Sequence, residues 1–309
     1  MSASSTSSTS STSSITAADA ATGNIDLSGL WIPLVTPFDN GAVDHAALAA
    51  LTERMCNAGV AGFAACGSTG EAAALSHEEE DAVLATILRS ARGKPVMMGA
   101  SDFHMGRMLE RVRQLNQAPI NALLVAPPPY IRPSQAGLLQ WFTAIADASV
   151  HPVVIYDIPY RTGATLETGT LLALAAHPRI VGIKDCGGDA AKTLALIQDG
   201  RLQVLAGEDA QIFSSMALGA AGAIAASAHG HTDRFVELLR LLAAGELTAA
   251  RTLWNALQAH IALSFEEPNP APIKGWMAQQ GWMRAELRAP MVEASSTLMA
   301  RMQSTALSV

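Results

Sequence analysis

Eight short apolar runs, separated by longer stretches with helical spacing, constrain the fold of this 309-residue chain more than any other feature. The runs are rich in Val, Ile, Ala and Gly, and most intervals between them leave room for one helix and two short loops. This alternation predicts parallel strands joined by crossover helices. The runs begin near Leu30, Val60, Pro95, Ala122, Val153, Val181, Leu202 and Gly222.

Helix signals occupy the intervals between these runs. Ser76 followed by Glu79 forms a capping box, and apolar residues at helical spacing come directly after it. Pro133 and Ser134 begin another helix in the same way. Eight β/α units in about 200 residues predict an α/β protein with a closed (β/α)8 TIM barrel. A doubly wound open sheet is the alternative that counting leaves open.

The pattern becomes purely helical after the eighth run, so we predict three regions. Residues 1–24 are almost all Ser, Thr and Ala, and they bury too little apolar surface to offset their ordering entropy. We therefore expect a disordered tail at 1–24, a catalytic barrel at 25–232 and a C-terminal helical region at 233–309.

Composition and charge limit the kinds of partner. A formal net charge of −7 and the lack of a dense Lys/Arg run argue against nucleic-acid binding. No apolar run approaches the length of a membrane span, and no targeting signal begins the chain. Cys56, Cys66 and Cys186 lack Cys-x-x-Cys spacing, which is typical of reduced thiols in a cytoplasmic protein. Small molecules are the expected partners.

Lys184 ends the sixth apolar run in a chain that contains only four lysines. Burial in an apolar wall disfavours the ammonium form, so we expect a lowered pKa and a free amine that attacks a carbonyl. This is the chemistry of a Schiff-base enzyme. The alternative is a lysine whose amine simply extends from the strand end into water.

All three tyrosines, Tyr130, Tyr156 and Tyr160, follow apolar runs directly. A phenol is suited to carry protons beside an imine, although each tyrosine alone could bury its ring and leave its hydroxyl in water. In a barrel of this kind, the loops after the strands form the active site. The tyrosines and Lys184 are therefore predicted to meet at one mouth of the barrel.

Two further segments have the residues of possible ligand sites. The turn Gly67–Gly70 offers backbone amides and two hydroxyls to a small carboxylate, although it could be only a tight connection. His229-Gly230-His231 has the alternate histidines of some zinc sites, but no carboxylate or cysteine set completes the shell. We expect no metal, and imine chemistry requires no other cofactor.

Four motifs, in order, resemble those of the family of dihydrodipicolinate synthase and N-acetylneuraminate lyase. They are Gly67–Glu71, Tyr156–Gly163, Gly182–Asp185 and Gly207–Asp209, and the resemblance extends from about Gly29 to the last helices. It implies a (β/α)8 barrel with a C-terminal helical domain. It also implies an aldolase-type lyase that forms a Schiff base with pyruvate and acts on a small aldehyde.

The resemblance implies four catalytic residues. Lys184 would form the imine with pyruvate, Tyr156 would relay protons to and from it, and Ser68 would pass those protons onward. Tyr130 matches the tyrosine that the family's tight dimer inserts into the partner's site. A homotetramer, built as a dimer of dimers, is the assembly that the family implies.

The resemblance also implies how substrates are held. Thr69 and the adjacent amides, including that of Gly67, would bind the pyruvate carboxylate, while Gly207 and the main chain at Ile224 would border the same pocket. Arg161 is suited to bind a second carboxylate through two hydrogen bonds.

Arg161 and the segment Glu267–Lys274 are similar to the synthase branch of the family, which condenses pyruvate with aspartate semialdehyde in lysine biosynthesis. One alternative is a family member that cleaves or dehydrates a sugar acid or another hydroxy-keto acid. Another is a pyruvate-binding protein without turnover. Ser68 stands where threonine is usual. Asp157 replaces asparagine and places a negative charge near a site that must receive two anions.

Overall fold

The computed structural model of the protein describes residues 25–305, so the predicted disordered tail at 1–24 lies outside the described residues. Eight parallel strands close into a barrel, which confirms the predicted (β/α)8 fold, and each of the eight apolar runs forms one of these strands. A short antiparallel hairpin, β2 with β3, was not predicted. The strands are β1 (Gly29–Pro33), β2 (Phe38–Asp39), β3 (Ala42–Val43), β4 (Gly62–Ala65), β5 (Val96–Ala100), β6 (Ala122–Val125), β7 (Val153–Asp157), β8 (Ile180–Asp185), β9 (Gln203–Ala206) and β10 (Gly222–Ile224).

Helices follow the barrel strands and are the regular elements that follow β10 in the described chain, with a non-helical stretch at 280–295 between α11 and α12. They are α1 (His45–Asn57), α2 (His77–Ser90), α3 (Met105–Leu115), α4 (Gln135–Ala148), α5 (Pro159–Thr162), α6 (Thr168–Leu174), α7 (Ala190–Asp199), α8 (Ile212–Ala217), α9 (Thr232–Ala243), α10 (Leu247–Ser264), α11 (Ala271–Gln279) and α12 (Ser296–Ser304). The predicted capping box of Ser76 and Glu79 begins α2, and Ser134 caps α4. The limits of the three predicted regions stay a prediction.

The strand register shows which side chains share a face. Tyr156 is paired with Lys184, and Lys184 with Leu205, so these three side chains point to the same side. Tyr156 and Leu205 belong to a buried cluster that contains strand and loop residues and no helix residue. The strand residues that alternate with them, such as Ile155 and Val204, belong to a second cluster that also contains helix side chains. The shared side is therefore the barrel interior. Among residues 25–305, no helix is both long and apolar enough to cross a membrane.

Candidate active site

Lys184 and Tyr156 lie side by side at the ends of β8 and β7. The Lys184 amine is 4.2 Å from the centre of the Tyr156 ring, and the lysine is only 6% exposed. Within residues 25–305, no carboxylate oxygen lies within 4.0 Å of this amine and no hydrogen-bond acceptor takes its protons. The structure therefore provides a buried amine without a salt-bridge or hydrogen-bond partner among the described residues.

Gly207, directly after β9, packs against this lysine. A Cβ atom at this position would lie 2.8 Å from Lys184 Cγ and 2.4 Å from Cys186 Sγ, so any side chain would displace Lys184 or Cys186. Ile224 is buried in the same interior cluster as Tyr156 and Cys186. Burial raises the pKa of the Cys186 thiol, which therefore acts as a small apolar group beside the lysine.

The two residues that follow Tyr156 and Lys184 point the other way, out of the barrel and onto α7. The Asp157 carboxylate accepts from Lys192 Nζ at 2.5 Å, and the Asp185 carboxylate accepts from Thr193 Oγ1 at 2.5 Å. Asp157 thus carries its charge toward Lys192, behind the strand. Two consecutive residues of α7 fix the ends of the strands that carry Tyr156 and Lys184.

A cavity of about 400 Å³ opens above Tyr156 and contains four of the predicted residues in its wall. They are Gly67, Ser68, Tyr156 and Arg161. Burial raises the pKa of the Tyr156 phenol well above its ordinary value, while the Ser68 hydroxyl and the Arg161 guanidinium act in the opposite direction. The phenol is therefore kept protonated and can donate a hydrogen bond into the cavity.

A buried ion pair supports the loop Gly67–Gly70 at the residue that directly follows it. Glu71, at the end of this loop, accepts from Lys274 Nζ at 2.6 Å, and the same amine donates to the Thr36 carbonyl at 2.9 Å. Glu71 also accepts from the backbone N–H of Arg288 at 3.2 Å. The C-terminal helical region therefore supports the loop that is predicted to hold the pyruvate carboxylate.

Thr69 and Arg161 are joined by a residue that the sequence analysis gave no role. Asn269, between α10 and α11, donates from Nδ2 to Thr69 Oγ1 at 3.0 Å, and its carbonyl accepts from Arg161 Nη2 at 3.5 Å. Asn269 also lines the cavity. The two residues predicted to bind the two substrate carboxylates thus share one partner.

Tyr130 is not brought into this cavity within the chain. Its side chain is 90% exposed and its backbone has a φ of +75°, whereas the neighbouring Pro129 lines the cavity. The predicted insertion of Tyr130 into a partner's site stays a prediction.

The histidine pair considered as a zinc motif is engaged in packing. His229 donates from Nδ1 to the Ala226 carbonyl at 2.8 Å, and its Nε2 accepts from the Val35 N–H at 3.3 Å. His231 packs its ring on His260, with ring centres 4.9 Å apart. Residues 25–305 contain no group of three or more His, Cys, Asp or Glu that could hold a metal ion.

Residues 26–307 match the model of the dihydrodipicolinate synthetase family. The chain belongs to this family. The resemblance identified from the four motifs is thereby confirmed, and the residues matched include both the barrel strands and the C-terminal helices.

Relatives in the family cover most of the chain. The 4-hydroxy-tetrahydrodipicolinate synthase of Sorangium cellulosum is 38% identical over 276 residues, which cover 87% of this chain and 92% of that protein. The 4-hydroxy-tetrahydrodipicolinate synthase 2 of Clostridium acetobutylicum is 36% identical and covers 88% and 96%, respectively. The crystal structure of the chloride-inhibited dihydrodipicolinate synthase from Acinetobacter baumannii, complexed with pyruvate, has a TM-score of 0.88 at 31% identity and covers 90% of this chain and 97% of that one.

The site contains supporting residues that sequence reasoning missed. Lys192 and Thr193 belong to no motif in the sequence. Only the packing of α7 against the strand ends brings them to Asp157 and Asp185. Asn269 and Lys274 lie in a segment already noted as similar to the synthase branch, but without the fold nothing placed them near Thr69 or Glu71.

Proposed function

We propose that this chain is a 4-hydroxy-tetrahydrodipicolinate synthase that condenses pyruvate with aspartate semialdehyde in lysine biosynthesis. The enzyme class, a lyase of the Schiff-base aldolase type, is the one predicted from the sequence, and family membership supports it. The observation that carries the proposal is Lys184 itself, a buried amine free of any carboxylate within the described residues and in contact with Tyr156.

The first half of the reaction joins pyruvate to the enzyme. The Lys184 nitrogen attacks the keto carbon, the carbonyl oxygen leaves as water, and a protonated imine forms. Tyr156 exchanges the protons with the leaving oxygen, and Ser68 passes them onward. Thr69 and the amide of Gly67 bind the pyruvate carboxylate, while Gly207 and Ile224 border the pocket.

The second half joins the two substrates. Loss of a proton from the pyruvate methyl group gives an enamine, whose carbon attacks the aldehyde carbon of the acceptor. The resulting alkoxide takes a proton from the Tyr156 relay. The amino group of the acceptor then attacks the imine carbon, and the Lys184 amine leaves as the product ring closes.

Charge at the cavity supports an acceptor that carries a carboxylate. Arg161 lines the cavity and has no carboxylate within 4.0 Å in the described part of the chain, so its guanidinium is available to an anion. Asp157 does not oppose an anionic acceptor, because Lys192 neutralises it behind the strand. These contacts favour aspartate semialdehyde over an uncharged aldehyde.

We also propose a cytoplasmic homotetramer, in which Tyr130 of each subunit completes the proton relay of its neighbour. The exposed Tyr130 ring, next to Ile131 at 51% exposure, supports a contact with a second copy. Three cysteines without disulfides support a reducing compartment. A fully active monomer in sedimentation experiments would contradict this assembly.

Two experiments test the proposed function. Treatment with pyruvate and borohydride should reduce the imine and add the mass of the reduced adduct to the peptide that contains Lys184. Turnover should then be measured with aspartate semialdehyde and, in parallel, with sugar-acid substrates. An adduct on Lys184 together with turnover of sugar acids only would favour the alternative member of the family. No adduct would refute the Schiff-base mechanism.

A further inference from the structure

Asn269 contacts both residues that the proposed function assigns to the substrate carboxylates. Its side-chain nitrogen donates to Thr69 Oγ1 at 3.0 Å, and its carbonyl is 3.5 Å from Arg161 Nη2. Its other side-chain atom, Oδ1, is buried without a hydrogen-bond partner in the described residues. Burying such an acceptor destabilises a fold, so a role in packing alone does not explain an amide at this position.

The direction of the hydrogen bond determines what Thr69 can offer to a ligand. A threonine hydroxyl has one hydrogen to donate and two lone pairs that accept. Because Asn269 Nδ2 donates to Thr69 Oγ1, this bond does not use the Thr69 hydrogen, and no other residue between 25 and 305 accepts it. The buried Thr69 hydroxyl is therefore available as a donor, which is what a carboxylate requires.

The same C-terminal segment holds the carboxylate loop at a second point. Lys274, five residues after Asn269, pairs with Glu71 at 2.6 Å and with the Thr36 carbonyl at 2.9 Å. Thr36 in turn donates from its hydroxyl to the Gly70 carbonyl at 2.7 Å. Asn269 orients the middle of the loop, and Lys274 fixes its end.

We propose that Asn269 is a positioning residue of the substrate site, with two separable actions. Its side chain orients the Thr69 hydroxyl as the donor to the pyruvate carboxylate, and its backbone carbonyl holds Arg161 for the carboxylate of the acceptor. This inference rests on the proposed function and extends it to the C-terminal helical region. It follows that a side-chain substitution affects pyruvate binding and leaves acceptor binding nearly unchanged.

The test is a pyruvate titration of imine formation, measured by borohydride trapping on Lys184 in the full-length chain without any acceptor. Asn269→Ala should raise the half-saturating pyruvate concentration about tenfold or more, the range for a lost hydrogen bond that supports a charged ligand. The KM for the acceptor, measured in the turnover assay, should change less than about threefold. Equal half-saturation in the variant and the parent would overturn the inference.

An isosteric variant separates orientation of the hydroxyl from packing. Asn269→Asp keeps the shape of the side chain, but an ionised carboxylate accepts hydrogen bonds and cannot donate them. It would take the Thr69 hydrogen and repel the keto acid, so pyruvate binding should be weaker than in Asn269→Ala. If Asp restored parental binding, packing alone would explain the residue and the inference would fail.

A double-mutant cycle with Thr69→Val tests whether Asn269 acts through Thr69. In the Thr69→Val background, Asn269→Ala should change half-saturation less than about twofold, because the hydroxyl that it orients is gone. Fully additive effects would contradict the inference. A parent chain that forms no pyruvate adduct would refute the proposed function, whereas a normal parent with unaffected variants would refute this inference alone.

Discussion

Three of the four lysines in this chain are buried, but their surroundings differ. Lys192 and Lys274 each lie within 2.6 Å of a carboxylate, Asp157 in one case and Glu71 in the other. Lys184 is 6% exposed and has no carboxylate within 4.0 Å among residues 25–305. Two buried amines are thus paired with carboxylates, and the third, which we propose as the nucleophile, is not.

The comparison shows that a buried amine can either stabilise the fold as an ammonium ion or serve as a free nucleophile. A buried ammonium is stable when a carboxylate and further acceptors surround it, and Lys274 has both Glu71 and the Thr36 carbonyl. A nucleophilic amine must instead lose its proton near neutral pH, and a fixed anion would oppose that loss. The partner of the amine, more than its depth, distinguishes the catalytic lysine.

The largest expected effect is on turnover. Lys184→Ala should lower kcat by at least about a thousandfold, because the other two buried amines, those of Lys192 and Lys274, are paired with carboxylates and cannot replace it. Lys94→Ala, which alters a lysine in the connection before β5, is the matched control and should retain parental activity. The measurement is steady-state turnover together with adduct mass. Parental turnover in Lys184→Ala would remove the basis of the mechanism.

The loss of unfolding free energy should rank the lysines in the opposite order from the loss of turnover. Lys192→Met and Lys274→Met each leave a buried carboxylate unpaired and should lower the free energy of unfolding by about 3–5 kcal/mol. Lys184→Met breaks no ion pair within 4.0 Å in the described residues and should change it by less than about 1 kcal/mol. Urea denaturation measures all three variants.

A second substitution checks the cause of the loss at Lys192. Adding Asp157→Asn to Lys192→Met removes the unpaired charge and should recover part of the lost stability. If the three Lys→Met variants were equally destabilised, the distinction between paired and free amines would be wrong.

Buried histidines show a third way to place a basic side chain in the interior, in which the side chain stays neutral. Burial lowers the pKa of His229 and of His260 to about 4, against an ordinary value of 6.5. Between these values the unfolded chain binds more protons, so stability is fully present above pH 6.5 and falls as the pH decreases toward 4. The expected loss is about 3 kcal/mol for each imidazole.

Urea denaturation at several pH values between 4 and 7 measures this dependence. His229→Asn should reduce the slope of stability against pH, whereas His77→Asn, on the exposed first turn of α2, should leave the slope unchanged. A slope that is identical in the parent and His229→Asn would show that this imidazole does not contribute.

The smallest effect is expected at Arg161, a cation in the cavity wall. Arg161→Lys keeps the charge but loses the planar pair of donors, so the KM for the acceptor should rise about tenfold. Pyruvate adduct formation on Lys184 should stay parental. A change confined to pyruvate binding would place Arg161 in the other substrate's site.

The barrel and the placement of Tyr156 beside Lys184 were predictable because both follow from local patterns. Each apolar run became a strand, and the register of parallel strands then placed Tyr156 beside Lys184 without further information. Ser76 and Ser134 specified where α2 and α4 begin. The β2–β3 hairpin was missed because strands of two residues leave almost no periodic signal.

The supporting contacts were not predictable because they join distant parts of the sequence. Asp157 was interpreted as a charge near the substrates, but alternation along β7 turns it outward to Lys192, 35 residues later. Asn269 meets Thr69 across 200 residues. A single sequence does not indicate which distant residues are in contact, and only closure of the barrel brings these segments together.

The attachment of two strands to neighbouring positions of α7 has a consequence for how this enzyme can change. Lys192 and Thr193 bind the residues that directly follow Tyr156 and Lys184, respectively, the proposed proton carrier and nucleophile. Any shift of that helix moves both reactive groups together and preserves their spacing. Substitutions at the rim of the acceptor site can therefore accumulate without changing the distance between Tyr156 and Lys184.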